Sequence, residues 1–462
     1  MEIENIDNLI KAHKHIHLIG IGGVSMSAIA ETLYNWGCKV TGSDRAEGEI
    51  TNNLNSHGIN VVIGSDLENS KKADLIIYSA AISDSDPEMV IAKENNIPLI
   101  DRGKFVGYLT KKYNESICVS GTHGKTTTTS MLSLCFIEAQ KDPTIHVGAI
   151  LKPINGNYRI GNSEYFILES CEYMGNFLKF LPNTEIILNI DNDHLDYYKT
   201  FENVVKAFQD FSRLLEPKGL LVVNADDENC YNLKNITTGR FVSYGIENKE
   251  ADFVAKNIQF NKEGFASFEV YKNNILLGNI ELSVPGKHNV LNALATIAVC
   301  LNYGIDIEII QSGLKKFTGA SRRMDLKGTY NNFSVYDDYA HHPTEILATI
   351  NSIKNKEHNE SWAIFQPHTY SRTKEHLKEF AKVLAMFDHV ILTDIYAARE
   401  INTIGITSED LKKEVLNYNK NAKYISSFDE IVDYIRNNAK PNDIVITLGA
   451  GTITKLGDMI VE

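Results

Sequence analysis

Two stretches of the chain repeat one pattern, an apolar run, a glycine-bearing turn and then apolar residues at helical spacing. His15-Ile16-His17-Leu18-Ile19 leads into Gly20-Ile21-Gly22-Gly23 and then Met26–Leu33, which predicts a strand, a turn and a helix. Further strands are predicted at Cys38–Thr41, Asn60–Ile63, Asp74–Tyr78 and Ile97–Ile100, alternating with helices such as Asp86–Glu94. The second restart is Ile117-Cys118-Val119-Ser120, followed by Gly121-Thr122-His123-Gly124-Lys125 and a threonine-rich helix. Strands at Tyr165–Leu168 and Glu185–Leu188 continue it. Alternation over Asp252–Leu282, broken at Lys262-Glu263-Gly264 and Lys272-Asn273-Asn274, predicts hairpins. After Phe317-Thr318-Gly319-Ala320-Ser321-Arg322-Arg323 come strands at Val335–Tyr336, Trp362–Phe365, His389–Thr393 and Ile444–Thr447, with helices over Lys374–Leu384 and Ser408–Val415. The alternation predicts an α/β protein of three parallel-sheet units, 1–112, 113–321 and 322–462: Rossmann-like, P-loop ATPase-like and Rossmann-like.

Length agrees, because 462 residues exceed what a single core holds. No apolar run reaches the ~18 residues of a membrane span, and the first twenty residues carry no secretory pattern. A cytosolic protein without membrane insertion is expected. The six cysteines are scattered with no CxxC, which favours reduced, packed thiols over zinc or disulfides. A net charge of −13 disfavours nucleic-acid binding, so any anionic ligand needs a local positive site.

Gly121-Thr122-His123-Gly124-Lys125-Thr126-Thr127 supplies one. Glycines let backbone N–H groups reach phosphate oxygens, the helix start is electropositive, and Lys125 adds a cation. Thr126 can hold magnesium through its hydroxyl. The usual first glycine of the longer motif falls at Val119, so the loop is a shortened form. As a loop residue, Lys125 is expected to face solvent. Glu169 and His194 come after predicted strands of the same unit, where ligands collect in open α/β sheets. The glycine turn at 20–25 with Asp44 downstream also approximates a dinucleotide fingerprint. Ser25 replaces its third glycine, and a dehydrogenase leaves the second loop unexplained. The other rival is a nucleotide-dependent scaffold without catalysis, in which the phosphate loop only switches conformation.

GIGGVSMSAIAETL (20–33), CVSGTHGKTTTTSM (118–131), LESCEY (168–173), NIDNDHLDYY (189–198), GKHNVLNALA (286–295), DDYAHHPTEI (337–346) and FQPHTYSRT (365–373) together resemble the Mur ligases, in order, from about residue 15 to Gly451. The resemblance implies three domains that bind a UDP-sugar, ATP and an amino acid. It implies a ligase that joins L-alanine to UDP-N-acetylmuramate through an acyl phosphate, with ATP and two magnesium ions that manganese can replace. Carried over by residue, Gly20, Gly22, Gly23, Ser25, Met26, Ser27 and Asp44 contact the UDP-sugar. Gly121 to Thr127, His288, Asn292 and Arg322 (or Arg323) contact ATP, and Thr126, Glu169 and His194 hold metal. Tyr339, His341 and Arg372 serve the amino acid. Lys125, His194, His341 and Arg372 are the catalytic set, the base being His194, His341 or water. The adjacent His341 and His342 are expected to point apart and not to share an ion.

Three departures stand out. Val24-Ser25 replace a common Ala-Gly, Thr369 replaces an arginine of PHRYTRT, and Ser170-Cys171 replace Ala-Asp of AEADESD. Family members that recycle a tripeptide onto the same UDP-sugar usually carry GICGTFMG in the first loop. Gly22-Gly23-Val24-Ser25 favours the alanine-joining type.

Overall fold

Short apolar runs become parallel strands here because both faces of each sheet are covered, which removes the need for alternation. The computed structural model describes residues 3–11, 13–354, 356–398 and 400–462. They form two units, one of residues up to Phe253 with Ala295–Gly313, the other of Val254–Leu294 with Leu314–Glu462.

The first unit holds two sheets. Strands β1 (His15–Ile19), β2 (Lys39–Asp44), β3 (Asn60–Ile63), β4 (Leu75–Tyr78) and β5 (Leu99–Asp101) lie parallel in the order β3-β2-β1-β4-β5. Strand β1 is buried at every position. The order reverses between β1 and β4, the switch point at which ligands sit in such sheets, and the glycine loop after β1 opens there. The second sheet contains β6 (Glu115–Ser120), β7 (Thr144–Leu151), β8 (Gly156–Arg159), β9 (Tyr165–Glu169), β10 (Thr184–Ile187), β11 (Leu220–Asn224) and β12 (Arg240–Gly245). It runs β12-β11-β10-β6-β9-β7-β8, parallel except for β8. Central β6 is flanked by β9 and β10, so the segments leaving those two strands lie beside the loop leaving β6. One core joins the sheets through Leu18, Leu33, Phe105, Phe166, Phe177 and Phe208.

The helix Lys125–Glu138 buries an unusually polar run. Three of its hydroxyls bond back along the helix, Thr129 to the Lys125 carbonyl (2.8 Å), Ser130 to Thr126 (2.8 Å) and Ser133 to Thr129 (2.7 Å), which satisfies them on burial, whereas the buried Thr128 hydroxyl finds no partner among the described residues.

In the second unit, β13 (Phe253–Phe260), β14 (Phe265–Lys272) and β15 (Ile275–Pro285) are adjacent strands. Both expected turns are present. Gly264 has φ +77°, and Asn273-Asn274 have φ 48° and 67°, the sign a two-residue type I′ turn requires. Strands β16 (Asp325–Tyr330), β17 (Phe333–Asp338), β18 (Ser361–Phe365), β19 (His389–Leu392), β20 (Ala422–Tyr424) and β21 (Ile444–Leu448) complete the unit in the order β16-β17-β21-β18-β19-β20, with only β16 antiparallel. One face packs on Tyr336, Phe365 and Phe380 and the other on Val335, Trp362 and Ile364.

The helix expected over Lys374–Leu384 is instead two, Tyr370–Glu375 and Leu377–Leu384. His376 between them is non-helical (φ −101°, ψ 23°) and buried, its ring 4.8 Å from that of His342. All six cysteines are free. Among the described residues no helix is long and apolar enough to cross a membrane.

Candidate active site

Three segments of the first unit converge beyond β6. The loop needs its glycines. Gly124 caps the following helix at φ +85°, and Gly121 (φ +133°) has Leu188 and Asn189 within 3.0–3.2 Å of where a Cβ would lie. The segment after β10 clamps the loop. Thr122 donates its N–H to the Asn189 carbonyl (3.1 Å), His123 donates its N–H to Asn189 Oδ1 (2.7 Å), and His123 Nε2 meets Asp191 Oδ2 at 3.0 Å. Thr127 is half-buried on the first helical turn.

Lys125 does not face solvent; its side chain is 12% exposed. Its Nζ donates to the carbonyls of Gly121 (2.5 Å) and Thr122 (3.0 Å) and lies 3.0 and 3.3 Å from the two oxygens of Glu172. Burial opposes its charge, but Glu172, Cys171 and Glu169 outweigh it and raise the pKa above the ordinary lysine value. Burial likewise opposes the Glu172 charge, and Lys125 and His194 more than offset it, leaving the carboxyl below its ordinary value. His194, at φ +59°, brings Nε2 to 3.3 Å from Glu172 Oε1.

Glu169, ending β9, receives the Thr126 hydroxyl (2.9 Å) and the Gly148 N–H (2.9 Å) on the same oxygen. A Cβ at Gly148 would lie 2.5 Å from that oxygen, so the glycine makes room for the carboxylate. A hydroxyl and a carboxylate oxygen 2.9 Å apart form an oxygen donor pair that fits magnesium, and the His194 imidazole is held on the adjoining Glu172. Glu172 joins Lys125 to His194, and sequence reasoning gave it no role. An acid three residues after Glu169 was visible, but only the fold brings it to a lysine 47 positions away.

At the glycine loop of the first sheet, Asp44 Oδ2 accepts the Gly22 N–H (2.9 Å), so Asp44 shapes the loop. Gly20 (φ +78°) has Ser79 Cβ 3.2 Å from its Cβ position. Gly23 begins the helix Val24–Asn35 without a side-chain cap, leaving first-turn N–H groups directed outward. Met26 packs in the core, and Ser27 gives its hydroxyl to the Val24 carbonyl (2.9 Å) and its N–H to Gly23 (2.9 Å). Ser25 faces Arg102, whose Nη1 donates to its hydroxyl at 3.2 Å. Asn157 on β8 donates to the Val24 carbonyl at 2.7 Å. Neither Arg102 nor Asn157 belongs to a motif, so sequence gave no signal for either.

The second unit gathers the remaining candidates. His288 and Asn292 lie on the helix Lys287–Asn302, Asn292 buried and donating to Asn289 Oδ1 at 2.9 Å. Arg322 is spent within its own unit, on Asp337 (3.3 Å) and the carbonyls of Gly449 (2.6 Å) and Gly451 (3.3 Å). Arg323 lies 3.6 Å from Glu345, and both guanidinium groups flank the Tyr339 ring at 4.7 and 5.3 Å. The His341 ring lies 5.3 Å from that of Tyr339 and 5.7 Å from that of His368, and Arg372 Nη1 meets His368 Nδ1 at 3.2 Å. Tyr339, His341 and Arg372 are therefore one cluster, with His368 as the link sequence reasoning did not single out. His342 turns the other way, against His376, so the histidine pair diverges as expected. Asp338, also unassigned from sequence, accepts N–H groups of Ala340 (2.9 Å) and Met324 (3.2 Å), and burial pushes its carboxyl up to about 6.

Comparison with known proteins covers the whole arrangement. Residues 15–114 match the Mur ligase family catalytic domain, 119–300 the Mur ligase middle domain, and 322–451 the Mur ligase glutamate ligase domain. The chain is 47% identical over 449 residues to UDP-N-acetylmuramate–L-alanine ligase of Acetivibrio thermocellus, spanning 97% of this chain and 96% of that one. It is 46% identical to the enzyme of the same name from Clostridium acetobutylicum, over 97% and 98%. The crystal structure of UDP-N-acetylmuramate-alanine ligase from Thermotoga maritima superposes with a TM-score of 0.83 at 31% identity, covering 97% and 98% of the two chains.

Proposed function

The chain belongs to the Mur ligase family, and from that premise we propose that it joins L-alanine to the lactyl carboxylate of UDP-N-acetylmuramate, with ATP converted to ADP and phosphate, in cytoplasmic peptidoglycan precursor synthesis. We assign the UDP-sugar to residues 1–112, ATP to 113–321 and the amino acid to 322–462. The observation that carries the reading is the cluster of Lys125, Thr126, Glu169, Glu172 and His194 around a phosphate loop.

A free carboxylate is a poor electrophile because oxide is a poor leaving group. A carboxylate oxygen therefore attacks the γ-phosphorus, the bond to the β-phosphate oxygen breaks, and ADP leaves. The alanine amine then attacks the acyl carbon, loses a proton to a base, and phosphate departs to leave the amide. Lys125 and the loop N–H groups stabilise charge on the transferred phosphoryl group. Thr126, Glu169 and His194 would hold magnesium, which supplies electrostatic stabilisation of the phosphates; two ions, and replacement by manganese, are part of the proposal. Arg372, steadied by His368, provides a fork-shaped donor for a carboxylate or the acyl phosphate. His194, His341 or water takes the proton.

Phosphate release from ATP, with UDP-N-acetylmuramate and each amino acid in turn, tests the reading. Release with L-alanine and not with a tripeptide supports it; equal release with the tripeptide points to the recycling type. Heavy oxygen in the muramyl carboxylate should pass one label to phosphate. Label in AMP would reject the acyl phosphate.

A further inference from the structure

Glu172 is only 1% exposed, yet its carboxylate touches both Lys125 and His194 of the phosphate site. Lys125 Nζ stands 3.0 Å from Oε2, and His194 Nε2 stands 3.3 Å from Oε1. The backbone beneath it is fixed, because its carbonyl accepts the Gly175 N–H (2.9 Å) and the Tyr198 hydroxyl. Glu169 has a different task, since its bonds go to the Thr126 hydroxyl and the Gly148 N–H. The two acids of LESCEY thus divide, one taking a hydroxyl and a backbone N–H and the other set between the Lys125 ammonium and the His194 imidazole.

That division has an electrostatic consequence for nucleotide binding. A polyphosphate entering the loop shares Lys125 with a fixed negative charge already in contact with it. Without another cation, phosphate and Glu172 repel one another across a poorly solvated gap. A divalent cation beside the phosphates cancels that repulsion, and the same carboxylate then helps retain it. We propose that Glu172 is a positioning residue that ties the loop lysine to His194, and that its charge makes nucleotide binding depend on the divalent cation. The proposal rests on the reading of the 121–127 loop as the ATP site.

Calorimetric titration of the full-length protein with ADP, once in EDTA and once in excess magnesium, tests it. The wild type should bind ADP more tightly with magnesium, by roughly tenfold or more. In Glu172→Gln, affinity in EDTA should rise roughly tenfold while the gain from magnesium shrinks by a similar factor. Glu172→Asp keeps the charge and should keep the magnesium dependence. Equal wild-type affinities in the two buffers would overturn the proposal without any variant. It also falls if Glu172→Gln weakens ADP equally in both buffers, the pattern of a merely structural residue, or if Glu172→Asp behaves like Glu172→Gln. Wild-type ADP affinity in Lys125→Ala would instead withdraw the ATP-site reading, and the proposal with it.

Discussion

Lys125 shows what a residue's type and spacing reveal and what they conceal. The motif identifies its chemistry, but its environment depends on Glu172, a buried partner that spacing does not point to. Lys125→Ala should abolish ligation, and it should also destabilise the fold, because Glu172 would be left as a buried carboxylate without its ammonium. Such orphaned charges cost ~3 kcal/mol or more, partly relieved here by His194. A fall in the thermal midpoint alongside lost activity is expected, and an unchanged midpoint would mean that the pair contributes nothing to stability. Glu185 is the opposite case. It lies on β10 in register with Cys118, fully buried, with neither oxygen paired among the described residues, and burial drives its pKa well above the ordinary value. The folded state therefore holds a proton that the unfolded chain releases above ~4.3. Stability from this group is complete below that pH and is lost as pH rises toward the folded value. Glu185→Gln removes the ionisation, so its midpoint should match wild type near pH 4 and exceed it at pH 8. A constant offset between the two across that range would show that Glu185 is ionised in the fold.

At the scale of elements, Arg372 depends on a short helix with a strained entry. Thr369 sits at φ +65°, ψ 147°, a region a β-branched residue rarely occupies. Glu400 holds the turn, taking the N–H groups of Tyr370 (2.7 Å) and Ser371 (2.9 Å) and the Ser371 hydroxyl. Glu400→Ala leaves those donors unpaired at a cost of ~1–2 kcal/mol and should raise the KM for alanine, with ADP affinity unchanged. Arg372→Lys should cut turnover severely while sparing ADP affinity, because a point charge cannot reproduce the guanidinium fork. Wild-type alanine kinetics in the lysine variant would remove Arg372 from the site. Arg372, Tyr339 and His341 were legible only through the resemblance of DDYAHHPTEI and FQPHTYSRT to the Mur ligases. Glu400 was not legible, since it reaches the helix from about thirty residues downstream, and a carboxylate bonded to N–H groups leaves no periodic trace. The break at His376 was hidden for a related reason. Leu377–Leu384 keeps helical spacing after Tyr370–Glu375, and the interruption comes from the packing of His376 on His342.

Across the whole molecule, the strand-turn-helix restarts at Gly20 and Gly121 were legible because glycine turns after apolar runs have few alternatives. Strands such as β7, β8 and β20 were not, because TIHVGAIL and GNYR carry glycines where alternation is needed and β20 is three residues long. The division into two units also has no sequence marker, since no proline- or glycine-rich linker separates them. It does leave a distribution of probes that tests it. All six cysteines lie in the first unit, five of them buried, with Cys171 half-buried. Of the two tryptophans, Trp36 packs on the first unit's core, and Trp362 is buried in the second, stacked on His389 at 3.8 Å. In urea, a Trp362→Phe variant should show thiol exposure and Trp36 fluorescence changing at one midpoint, because a shared core opens cooperatively. Native protein should react at no more than one thiol, and denatured protein at six. A Trp36→Phe variant then reports the second unit through Trp362, with a midpoint free to differ from that of the thiols. Buried thiols reacting well before the Trp36 transition would show that the two sheets of the first unit open separately, and the single core drawn through Leu18, Phe105 and Phe208 would have to be divided.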